Sequence, residues 1–180
     1  MLQITIPSFE IFDEKTSTFC EVKGKTIALE HSLISISKWE AKWNKPFLSS
    51  QKTPEQLLDY IKFMTITTGV DPMLYEGLTQ TAIQDILDYI NSSQTATWFN
   101  TNETGKKKNS TVVTSELIYY WMVSYQIPFE CQKWHLNRLI TLIKICDIKN
   151  KPSKKMSKRE ILSNNAKLNA ARRAKLKTKG

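Results

Sequence analysis

Apolar positions alternate with polar ones, or run between turn residues, only over the first thirty residues. "LQITI" and "FEIFD" flank Pro7, "TSTFCEV" follows, and "KGK" breaks the chain before "TIALEH" sets Ile27 and Leu29 on one face. This period-two pattern predicts an antiparallel β-element of two to three strands over 1–31. A ribbon of that size is not stable alone in water and needs helices to cover its apolar face. From residue 33 onward the period changes to the helical one.

Ser37 and Glu40 fit a capping box, which predicts a short helix through Trp39 and Trp43 that ends at Pro46. Thr53, Pro54 and Gln56 mark a second start, with Leu57, Leu58, Ile61 and Met64 on the apolar face. Asp71-Pro72 predicts a turn or one helical turn. Ile83, Ile86, Leu87 and Ile90 mark a third helix. Residues 91–111 are polar and read as an exposed loop. Within it, Trp98-Phe99 is expected to anchor the loop's start, and Lys106 to Lys108 form a solvated tip. Thr114 or Ser115 caps a fourth helix that stops before Pro128. A fifth runs over 129–148, with Trp134, Leu136, Leu139, Ile140, Leu142, Ile143 and Cys146 covering more than half its circumference. The last two are expected to form an antiparallel hairpin at the core. Pro152 closes the folded part. Ser157 and Glu160 form another capping box, which opens a helix with a thin apolar stripe of Ile161, Leu162, Leu168 and Leu176.

The fold expected is therefore α+β and mostly α-helical. A β-hairpin or small sheet over 1–31 packs on a helical bundle over 32–148, followed by a basic helical tail over 149–180. Charge sharpens that division. The chain carries +9, yet residues 149–180 hold twelve Lys or Arg against Glu160 alone, so the tail is +11 and residues 1–148 sum to −2. Such a tail attracts polyanions, and nucleic acid is an alternative partner on that ground. It has no aromatic residue for base stacking, so the signal is unspecific.

Little in the sequence points to catalysis or to a cofactor. Two histidines, no Gly-rich phosphate loop and no nucleophile motif argue against an enzyme. Cys131 and His135 stand four apart, which on one helix puts them on one face, but zinc needs two more ligands. No metal is expected. Three widely spaced cysteines read as free thiols. With no apolar run near the roughly 20 residues of a membrane span and no leader pattern, a cytosolic protein is expected. Trp39 and Trp43 share a helix face and form either a lid on the core or an anchor in a partner groove.

The stretches "LEHSLISISKWEAKWNKPFL" (29–48), "ATWF" (96–99), "TSELIYYWMVSYQIPFECQKWHLNRLITLI" (114–143) and "NKPSKKMSKREILSNNAKLNAARR" (150–173) together resemble the tail assembly chaperones of tailed bacteriophages. The resemblance covers about 29–173, and the first 28 residues least. It implies a non-enzymatic protein of the host cytoplasm that binds the tape-measure protein before the tail tube polymerises around it. The tube protein is a further expected partner. It carries over no catalytic residue and no cofactor. The motif positions are Trp39, Trp43, Pro46, Phe47, Trp121, Pro128 and Trp134. The partner-binding candidates are Trp39, Trp43, Phe47, Trp98, Arg159, Arg172 and Arg173. A structural tail or baseplate component retained in the virion is the alternative in the same setting.

Overall fold

The computed structural model describes residues 1–13, 18–99, 112–150 and 158–176. Four strands open the chain: β1 (Leu2–Ile6), β2 (Phe9–Asp13), β3 (Thr18–Val22) and β4 (Lys25–Leu29). β1 pairs with β4 and β2 with β3, both antiparallel, and partner numbers sum to 31 in both ladders. The four strands thus form one ribbon in a single register, interrupted only where Pro7-Ser8 faces Lys23-Gly24. Pro7 has no N–H to give to a ladder. A Cβ on Gly24 would lie 2.6 Å from the Ser8 nitrogen and 2.7 Å from the Ile6 carbonyl oxygen, so the backbones meet too closely for any side chain there. The burial phase flips across this break. Ile4, Ile6, Ile27 and Leu29 turn into the core in the near half, and Phe9 and Val22 do so in the far half. The expectation of two to three strands is exceeded, because β2 and β3 continue the same ribbon past the break.

Helices then wrap the near half: α1 (Leu33–Trp43), α2 (Pro54–Met64), a 3₁₀ segment Pro72–Gly77, α3 (Gln80–Asn91), α4 (Ser115–Ser124), a second 3₁₀ segment Phe129–Lys133, and α5 (Leu136–Asn150). The α+β, mostly helical class expected from the pattern is the class observed. α1 starts earlier than Ser37. Ser32 is its N-cap, with Ser32 and Ser35 closing a reciprocal capping box, and Leu33 and Ile36 are fully buried on its inner face. It stops at Asn44, which adopts the left-handed conformation and donates its N–H to the Glu40 carbonyl. α2 starts where expected, with the Thr53–Gln56 box and Pro54 at its first position. The single helix expected over 129–148 is divided. Phe129–Lys133 is a 3₁₀ turn, Trp134 is its C-cap, and the α-helix begins only at Leu136.

Backbone bonds bind the elements into one core. Leu136 N–H donates to the His31 carbonyl at 2.7 Å, which pins the start of α5 to the β4–α1 junction. After α2 the chain runs beside β4, with Glu30 N–H to Met64 O at 2.9 Å and Ile66 N–H to Ala28 O at 2.8 Å. Two compact units result, Met1–Asp147 and Ile148–Gly180. The second contains α6 (Lys158–Leu176), whose described side chains are all exposed. Ser157 and the lysines at 106–108 lie outside the described residues. No helix among the described residues is long and apolar enough to cross a membrane.

Candidate functional site, a groove between α4 and α5

The aromatic stretch around α1 faces inward. Trp39 is fully buried and its indole N–H donates to the Gln56 carbonyl at 2.8 Å. Phe47 is buried against it edge-on, with ring centroids 5.1 Å apart, and packs on Tyr60 at 4.2 Å. Lys52 lies 3.9 Å from the Phe47 ring centroid and donates to the Phe47 carbonyl. Burial pushes its ammonium below the ordinary lysine range. Trp39 and Phe47 are therefore part of the core, and neither ring is offered to a partner in this conformation. Trp43 is half-buried, and its indole N–H has no hydrogen-bond partner although it is shielded from water.

Glu40, expected to reach back to cap α1, does something else. It is buried, and its two oxygens accept from Phe47 N–H and from Ser115 N–H, each at 2.7 Å. Thr114, the N-cap of α4, makes no side-chain cap bond. The carboxylate takes that place and meets the positive end of the α4 dipole. This one side chain fixes both the chain after Pro46 and the start of α4.

Those two segments form part of a groove. Leu48, just past Phe47, and Val113, just before α4, line one part of it. Trp121 and Tyr125 of α4 and Ile140, Ile143, Lys144 and Asp147 of α5 line the rest. The volume is about 430 Å³, within the range of small-molecule pockets. The lining is mainly apolar with one cation and one carboxylate, and Tyr125 donates its hydroxyl to Asp147 at 3.2 Å. Beyond it, α4 exposes Tyr120 at 65 % and Val123 at 61 %, and Phe129 follows at 54 %. α4 is apolar almost all round while Ile118 and Met122 alone among its apolar side chains are fully buried, so it presents apolar surface outward.

Two histidines meet next to Phe47 and Tyr60. His31 shares a 2.5 Å hydrogen bond with the Tyr60 hydroxyl, and its ring lies 5.0 Å from that of His135. Burial, helped by His135 and Lys52, pushes His31 down to about 3. His135 is also lowered, chiefly by burial, and its Nε2 meets the Tyr89 carbonyl oxygen at 3.0 Å. Cys131 and His135 do not share an α-helix, since Cys131 sits in the 3₁₀ turn. Among the described residues no group of three His, Cys, Asp or Glu is placed to hold a metal ion.

The remaining sequence candidates are Trp98 and three arginines of α6. Trp98 is 80 % exposed, so the anchoring expected of it is not observed. Its partner in that expectation, Phe99, is half-buried. Arg159, Arg172 and Arg173 are exposed on α6. Trp121 was legible as a motif position, whereas Leu48, Val113 and Ile143 enter the groove only through tertiary packing. No protein-family model, no curated protein and no solved structure matches the chain.

Proposed function

We propose that this chain is a non-enzymatic tail assembly protein of a tailed bacteriophage, a chaperone that holds an amphipathic helix of the tape-measure protein in the groove between α4 and α5. The observation that carries the reading is the open apolar groove lined by Leu48, Trp121, Tyr125, Ile140 and Ile143. A groove between two helices, with Lys144 and Asp147 beside its apolar side chains, suits a helix that buries an apolar stripe flanked by polar groups. The resemblance of 29–173 to tail assembly chaperones is what points to the tape-measure protein as the partner. A long helix awaiting its tube exposes apolar stripes, and covering them keeps it from aggregating.

The test is a nuclease-treated pull-down from infected cells with the tagged chain, paired with mass spectrometry of purified particles. Recovery of the tape-measure protein, with this chain missing from the particles, supports the chaperone. A fixed copy number in particles favours a structural tail or baseplate component instead. A second reading rests on α6, whose exposed Lys and Arg side chains suit nucleic acid. It predicts capture that disappears on nuclease treatment.

A further inference from the structure

The far half of the β-ribbon carries an outward face that is exposed among the described residues. Phe12 lies opposite Phe19 and Glu10 opposite Glu21 in the β2–β3 register. Residues two apart on a strand share a face, so these four side chains form one patch. All four are exposed, Phe12 by 50 % and Phe19 by 70 %, with ring centroids 5.2 Å apart. Like charges directly opposite across a ladder destabilise it. The Glu10–Glu21 pair is thus a local cost that a cation placed between the carboxylates removes, and the phenyl faces beside them favour that same cation.

The chain itself carries a segment of that chemistry. On α6, Ile161, Leu168 and Arg172 are spaced by seven and four residues and share a helix face. All three are exposed. Leu168 and Arg172 are one turn apart, about 6 Å along the axis. Glu10 and Phe12 are two strand residues apart, about 6.6 Å. An apolar group next to a guanidinium therefore meets a phenyl pair next to a carboxylate pair at matching spacing. The charge sums agree, with +11 over 149–180 against −3 over 9–22.

We propose that the Glu10–Phe12–Phe19–Glu21 face of the ribbon docks the Leu168–Arg172 face of α6 from a second copy of the chain. The two surfaces differ, so the contact is head-to-tail and leaves a free arm and a free helix at its ends. It is distinct from the groove and stands whether or not the groove binds a tape-measure helix.

The test is sedimentation of the nuclease-treated full chain over a concentration series at low and high salt. Wild type is expected to self-associate, with affinity falling as salt rises. Glu10→Lys with Glu21→Lys, and separately Arg172→Glu with Arg173→Glu, are each expected to weaken self-association at least tenfold. All four positions are exposed, so circular dichroism melts should match wild type. Mixing the two charge variants tests the direction of docking. The free wild-type arm of one meets the wild-type helix of the other, so the mixture is expected to associate where neither alone does. Combining all four reversals in one chain is expected to restore self-association. A wild-type monomer at every concentration, which includes the case of α6 folding back on its own chain, overturns the proposal. So does association that survives the arm reversals, or that is lost when nucleic acid is removed.

Discussion

Replacing Glu40 with Gln tests the claim that one buried carboxylate holds one part of the groove. Its oxygens accept from Phe47 N–H and Ser115 N–H, both at 2.7 Å, and the side chain is buried. A Gln keeps one acceptor and turns an NH₂ toward the other N–H, so one donor loses its partner and the second bond loses its charge. A hydrogen bond to a charged group contributes about 1.5–3 kcal/mol. Loss of the anion at the α4 N-terminus adds about 0.3–1 kcal/mol. Relief of the buried charge offsets part of this. The net expectation is a loss of about 2–3 kcal/mol, measured by equilibrium urea unfolding as a lower midpoint at unchanged slope. Glu40→Asp should also lose stability, because a side chain one methylene shorter does not span both donors. A Glu40→Gln midpoint within about 0.5 kcal/mol of wild type would refute the reasoning, since the carboxylate would then be replaceable by an amide.

Other expectations follow from the same packing. Trp39→Ala should cost about 3–5 kcal/mol in urea unfolding, whereas Trp98→Ala, at an 80 % exposed site, should stay within about 0.5 kcal/mol. His31 is held neutral, with its folded value near 3 against 6.5 for a free side chain. The unfolded chain binds the proton first, so stability is greatest above 6.5 and falls as pH drops from 6.5 toward 3. Between pH 6.5 and 5 this amounts to about 2 kcal/mol. Thermal melts should show that slope, and His31→Gln should flatten it, with His135 retaining the remainder. Gly24→Ala places a Cβ 2.6 Å from the Ser8 nitrogen and should destabilise by about 1–3 kcal/mol, read as a lower melting temperature.

What was legible in the sequence is what is local. The Thr53 box was found because cap and partner are three residues apart and Pro54 confirms the start. The Ser37 box matched the same template and lost to Ser32, because the core takes Leu33 and Ile36 as helix residues and so extends α1 backward. The break at "KGK" was readable, but the shared register of the two ladders was not, since it depends on Pro7 meeting Gly24 across the ribbon. Trp39 and Trp43 share one helix, as their spacing implies, yet four residues of spacing do not distinguish full from half burial. The groove was hardest to read. Glu40 binds a donor 75 residues away, and Leu48, Val113, α4 and α5 meet only in the folded chain. The one local sign was α4 itself, apolar on more faces than a single core contact can cover.

The most direct test of the central claim is the affinity of the tape-measure protein's helical segments for wild type and for Leu48→Glu with Trp121→Ala, measured by isothermal titration. Leu48 is 45 % exposed and Trp121 half-buried, so melts of the variant first establish that it folds. Binding by wild type that weakens at least tenfold in the folded variant is the predicted result. Equal affinity for both proteins, or no binding by wild type, contradicts the assignment of the α4–α5 groove as the site that holds a tape-measure helix.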